Sequence, residues 1–187
     1  VISMENVPRL EKFLKEPVFK NFLKNLEKNN YHYTFKVVNC ADYGIPQFRR
    51  RLVLLASKLN EISIIPPTHS RDNYVTVRQA LGKIEPIKHG EGSKKDVLHK
   101  ANKLSNLNLQ RIRQSKPGGS WKDWDKNLLL ECHKKESGSS YVSVYGRMSW
   151  DKPSPTITTH CTGYGNGRFG HPEQDRAITL REAAILQ

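Results

Sequence analysis

Two short stretches carry residue types that could do chemistry. Glu5-Asn6-Val7 follows an apolar, strand-like opening, Val1 to Met4. Gln47-Phe48-Arg49-Arg50-Arg51 runs directly into another apolar stretch, Leu52 to Ala56. In open α/β sheets ligands sit beyond the carboxyl ends of strands. An acid at the position of Glu5 can then serve as proton donor or hydrogen-bond partner where burial raises its pKa. Taken alone, the tripeptide is more simply a surface loop with a carboxylate. Gln47, Arg49 and Arg51 stand two apart, and alternate residues of a strand share a face. That spacing turns Arg49 and Arg51 the same way and Arg50 the other. A same-side arginine pair can hold a phosphate and the carbonyl oxygen of a base. The plainer alternative is a set of edge charges that discourage aggregation.

The elements that must position these residues are legible around them. Pro8 to Asn29 has apolar residues at helical spacing, with a break near Glu16-Pro17. "YHYTFKVVN" alternates and is rich in aromatic and β-branched residues, which reads as a strand. "ADYGIPQF" is a loop broken by Gly44 and Pro46, and "RRLVLLAS" is a second, more buried strand. Strand, helix, strand, loop and strand in this order suggest part of an α/β sheet. Beyond Ser57 the texture turns polar. Thr76 could cap a short helix over "VRQALGKI". "SYVSVYGRMSW" alternates like a strand and "TITT" has a short β-like pattern. Thr179 and Glu182 form a capping-box pattern opening a helix at the end of the chain.

Bulk properties narrow the partner. The 187 residues carry a formal net charge of +13 with a pI near 9.8. That balance favours a polyanion, most often nucleic acid, although surplus lysine also serves solubility. No apolar stretch approaches the roughly 20 residues of a membrane span. Cys40, Cys132 and Cys161 are too scattered for a disulfide framework, which fits a reducing cytosol. With no C-x-x-C pair and irregular histidine spacing, no metal is expected. The chain opens inside an apolar run and closes in mid-helix, so both ends read as cut.

With the tail added, these pieces resemble a family. "ENV", "NCADYGIPQFRRR" and "RAITLREAAILQ" are similar, in order, to three signature blocks of the DNA (cytosine-5) methyltransferases. The polar, basic segment between the last two blocks resembles the family's variable target recognition region. "YGRMSWDKPSPTITT" is similar to its return from that region. Each motif is weakly specific; three in order at this spacing are specific. The resemblance implies an α/β fold class: residues 1–58 as the end of a Rossmann-like catalytic sheet, and 59–187 as a smaller, irregular, β-rich domain. The target recognition region would occupy about residues 66–160 of that domain.

What the resemblance implies for chemistry follows from cytosine, whose C5 is a poor nucleophile. The family adds a cysteine thiolate to C6, which makes C5 an enamine carbon able to attack the methyl group of S-adenosylmethionine. Glu5 matches the glutamate that donates or shares a proton at N3. Arg51 matches the arginine on the O2 side, and Arg49 would hold a backbone phosphate or brace the loop. Gln47 and Asn6 look like supporting residues, Gln47 beside the DNA. Lys116, with Gly118 and Gly119 in "KPGG", suits an approach to DNA, since glycines allow close backbone contact. Trp121 and Trp124 read instead as plugs of a small core. "GYGNGRFG" lacks the Lys-Ser/Thr of a phosphate loop; it is either a loop near DNA with Arg168 at a phosphate or a long turn. Arg147 and Thr158 stand where family members read base edges, with arginine to guanine the commonest specific contact.

Two family blocks are not in this stretch. There is no Pro-Cys-Gln, the setting of the nucleophile, and no glycine-rich loop after a first strand for S-adenosylmethionine. The expectation is the C-terminal part of a bacterial, cytoplasmic modification methylase acting on double-stranded DNA in restriction-modification. It would be inactive without the missing N-terminal catalytic part. A split-enzyme subunit, a DNA-binding module without catalysis and an RNA cytosine methyltransferase of the same fold are the alternatives.

Overall fold

A computed structural model describes residues 1–187. It divides into two compact units, one of Val1–Gly44 with Phe48–Asn73, the other of Ile45–Gln47 with Tyr74–Gln187.

The first unit is built on three antiparallel strands, β1 (Ile2–Asn6), β2 (His32–Asn39) and β3 (Arg50–Ser57), in the order β1-β3-β2. Between β1 and β2 lie a 3-10 turn, Pro8–Phe13, and helix α1 (Pro17–Lys28). Pro17 sets the division: proline cannot continue a preceding helix but suits the first position of the next. Even-numbered residues of β3 face the core, where Leu54 and Ala56 are wholly buried under Phe19 and Leu26 of α1. The odd face carries Arg51, Val53 and Leu55, all half-buried. The apolar opening strand is only partly buried. β1 is an edge strand paired only to β3, and Ser3 and Glu5 on its outer face are exposed.

The loop ahead of the arginines is tied down locally. Cys40–Tyr43 forms a 3-10 turn, and the Asp42 carbonyl accepts from the backbone N–H groups of Thr68 and His69 at 2.9 and 3.0 Å. Tyr43 donates its hydroxyl to the Ile65 carbonyl at 3.0 Å. Gly44 closes the turn at φ 81°, directly beneath the His69 ring, where a Cβ would come within 2.9 Å of Cε1. Glycine meets both demands, the left-handed backbone and the lack of space.

The second unit corrects the expectation of a β-rich domain. It holds short helices, α2 (Val77–Leu81), α3 (Asn106–Gln114), α4 (Glu131–Lys134) and α5 (Leu180–Ile185), and only isolated β-bridges. "SYVSVYGRMSW" is irregular backbone; its Gly146–Met148 core lies between two other loops, bonding Gly119 and Gly118 on one side and Gly167 and Gly170 on the other. Glycines at these contacts let the segments approach but give no side chains for a regular pleated surface. The expected caps form on Thr76 and on Thr179; the Thr179–Glu182 capping box is as expected, and Thr76 also forms one, with Gln79. Two apolar clusters fill the unit. One joins Val77, Leu81, Met148, Ile157, Phe169, Ile178 and Leu186; the other joins Ile112, Trp121, Trp124, Leu128 and Tyr164. Trp121 and Trp124 are core plugs, as expected.

Candidate functional site

The site begins with strand register. Glu5 stands opposite Val53 in the β1–β3 ladder, so Arg51 is its diagonal neighbour on the same face. Arg51 Nε lies 2.6 Å from Glu5 Oε1 as an ion pair, and Arg49 Nη2 lies 3.7 Å from the same oxygen. Arg51 Nη1 turns back to the Arg50 carbonyl at 2.8 Å. The two-residue spacing therefore does place Arg49 and Arg51 together, with the carboxylate of Glu5 between them, at the carboxyl end of β1. The arginines are the better sheltered: their side chains are 31% and 20% exposed against 53% for Glu5. Glu5 Oε2 has no protein partner. The cluster presents a carboxylate oxygen beside a guanidinium edge, an acceptor next to donors.

The other predicted residues divide. Gln47 is buried in the second unit and fully used there: its amide NH2 donates to the Leu186 carbonyl at 3.0 Å, and its carbonyl accepts from Ile157 N–H at 3.1 Å. Arg147 is also buried, donating to the carbonyls of Ile112, His171 and Gln174 and to Asp175 Oδ1. Both assignments as DNA-contacting side chains are corrected to internal braces, because every polar atom named is already spent on the protein. Lys116, Thr158 and Arg168 are exposed. Lys116 to Gly119 forms a tight turn with Gly119 N–H on the Lys116 carbonyl at 2.8 Å and Gly118 at φ 76°, the geometry that wants proline second and glycine third. Gly119 faces the Asp123 carboxylate, which accepts from the N–H groups of Lys116 and Ser120 at 3.1 Å each.

The family profile for C-5 cytosine-specific DNA methylases matches residues 1–187. The chain belongs to that family. It is 59% identical over 187 residues to the type II methylase M.HgiDII of Herpetosiphon aurantiacus, covering 100% of this chain and 53% of that protein. It is 33% identical over 191 residues to the type II methyltransferase M1.BsuMI of Bacillus subtilis, covering 100% and 42%. This C-5 methylase chain thus spans about half the length of the curated relatives it matches. Its fold also matches a crystal structure described as a DNA modification methyltransferase from an E. coli prophage, with a TM-score of 0.54 at 21% identity over 98% of this chain and 57% of that one.

The methylase chain also contains a buried polar centre that sequence reasoning missed. Arg176 and Glu182, both 0% exposed, meet in a two-pronged pair at 2.7 Å on each side. Glu182 additionally accepts from Thr179 N–H at 2.8 Å. Burial works to raise its carboxyl pKa, but the Arg176 guanidinium more than offsets this and holds it below the ordinary value. His171 accepts two backbone N–H bonds at Nδ1, from Glu173 and Gln174, while its Nε2 lies 3.3 Å from the Gln174 side-chain amide nitrogen and 3.8 Å from Glu182 Oε1. Burial, with Arg176 adding to it, pushes this imidazole down to about 4. His99 bridges Thr179 Oγ1 and the Glu85 carbonyl at 3.0 and 2.8 Å. The capping box showed in the sequence; the arginine six residues before Glu182 was the only further signal.

Proposed function

We propose that this chain is the C-terminal part of a bacterial DNA cytosine-5 methyltransferase of a restriction-modification system, acting in the cytoplasm on duplex DNA. The observation that carries the reading is the meeting of Glu5 with Arg51 at the end of β1. An exposed ion pair of this kind contributes only about 0–1 kcal/mol to stability, so its use lies in what it presents. Cytosine offers an O2 acceptor, N3, and a 4-amino donor along one edge. Arg51 would donate at O2, and the unengaged Oε2 of Glu5 would take the proton-bearing position at N3, where charge develops as a thiolate adds at C6. Arg49 would brace Glu5 or hold the neighbouring phosphate. A target base must leave the stack to reach such a site, at a cost of a few kcal/mol. The first unit is then the end of the catalytic domain, and the second holds the target, with Lys116 and Thr158 on its DNA side. S-adenosylmethionine supplies the methyl group. No residue of this chain is assigned to hold it, and the thiolate comes from residues outside this stretch.

The test completes the chain with the N-terminal half of the Herpetosiphon methylase and follows methyl transfer to duplex DNA. Glu5→Gln should abolish most transfer while leaving DNA affinity in place. Unchanged transfer would remove Glu5 from the chemistry. Robust transfer by the 187-residue chain alone would refute the outside origin of the thiolate, and transfer to tRNA in preference to duplex DNA would refute the substrate.

A further inference from the structure

The second unit contains seven arginines, and six of them spend their guanidinium groups on the protein. Arg78 and Asp151 pair at 3.0 Å, Arg113 and Asp175 at 3.2 Å, and Arg181 pairs with Asp96. Arg147 and Arg176 are buried among carbonyls and carboxylates, and Arg111 bonds the Leu128 carbonyl while lying over Trp124. Arg168 has no hydrogen bond, ion pair or ring contact, and it is exposed.

Its stem is nevertheless fixed. A Cβ built on Gly146 would lie 2.6 Å from Arg168 Cγ and 3.0 Å from its Cβ, so the side chain lies flat on the bare Cα of that glycine. The backbone on both sides of Arg168 is tied to the same residue. Gly146 N–H donates to the Gly167 carbonyl at 3.2 Å, and Gly170 N–H donates to the Gly146 carbonyl at 2.8 Å. Gly146 in turn packs against the carbonyl of Gly119, which closes the turn that carries Lys116, another cation without a protein partner. Three glycine-bearing loops thus converge to hold one arginine stem while leaving its head in water.

We propose that Arg168 grips a backbone phosphate of the DNA duplex, an inference that rests on the DNA-methylase reading above. A stem already immobilised loses less side-chain freedom on binding. A guanidinium binds phosphate through paired hydrogen bonds. No ring or carboxylate fixes the plane of the head, as in-plane reading of a guanine edge requires, whereas a phosphate accepts from a broad range of directions.

The test measures affinity of the 187-residue chain for two duplexes of unrelated sequence across a salt series, with Arg168→Gln and Arg168→Lys beside the unaltered chain. Removing one phosphate contact should reduce the slope of log affinity against log salt by about 0.9. The loss should be equal on both duplexes, and Arg168→Lys should recover most of the slope. An unchanged slope in Arg168→Gln would overturn the proposal while leaving the methylase reading intact. A loss confined to one duplex would overturn the phosphate assignment in favour of a base edge. Failure of the unaltered chain to bind either duplex would overturn the underlying reading, and this proposal with it.

Discussion

Replacing Glu182 with Gln isolates the charge of the buried centre from its geometry. Glutamine is a good third residue in a capping box, so the Thr179 cap survives, and its carbonyl still accepts one of the two Arg176 bonds. What is lost is the negative charge facing a guanidinium that is 0% exposed. Breaking a buried pair from one side costs about 3–5 kcal/mol, because the remaining ion stays desolvated without compensation. Arg176 keeps bonds to the carbonyls of Ile87 and Ala177 and to Gln174, which places the expected loss at the lower end, about 3 kcal/mol. With a urea dependence of about 2 kcal/mol per molar, the midpoint should fall by about 1.5 M. Tryptophan fluorescence is the appropriate probe: Trp121, Trp124 and Trp150 all belong to the second unit. The double variant Arg176→Met with Glu182→Leu should recover most of the stability, since it leaves no unpaired charge. A midpoint within about 0.3 M of the unaltered chain for Glu182→Gln would mean water reaches the pair, and the argument would fail.

The same centre sets a pH dependence. His171 is neutral in the folded state with a pKa of about 4, below its ordinary value, so the unfolded chain takes up its proton first. Its contribution is complete above about pH 6.5 and is lost as pH falls toward 4, by about 3 kcal/mol across the window. Glu182, held low, adds a further loss only below the usual carboxylate range. Urea midpoints between pH 7.5 and 4.5 should show this decline, and His171→Gln should flatten it; a level profile in the unaltered chain would contradict the burial argument. The two glycines of the Lys116 turn should differ in melting experiments. Gly119→Ala drives a methyl into the Asp123 carboxylate and frees two N–H groups, at about 1–3 kcal/mol. Gly118→Ala meets only Ser149 Cβ, at an ordinary contact distance of 3.6 Å, and pays for its positive φ, about 1–2 kcal/mol. The opposite ranking would show that the turn is not closed by Asp123.

The first unit was legible because its information is local. Alternation in "YHYTFKVVN", the apolar run after Arg51 and the proline before α1 each specify an element within a few residues. Two-residue spacing puts Arg49 and Arg51 on one face, whereas their meeting with Glu5 depends on the β1–β3 register, Glu5 opposite Val53. Val18 marks the limit of that reasoning: it continues the helical stripe in sequence, yet it is 82% exposed. Helix α3 was missed because it sits in a polar stretch, where Ser105 as N-cap is the strongest local sign.

In the second unit the same residue type takes opposite roles, and no local pattern separates them. Gln47 was grouped with the arginines beside it, but its partners, Ile157 and Leu186, lie 110 and 139 residues away. Arg147 and Arg168 both stand beside glycines in loops that the sequence presents as equally basic and open. One is buried against Asp175, 28 residues on, while the other keeps its head free. An arginine becomes a brace or a ligand contact according to whether a distant carboxylate or carbonyl reaches it. That is a property of the folded contacts, not of spacing. The net charge of +13 favours a polyanion, while the accounting of guanidinium partners singles out Arg168 among the arginines of this unit.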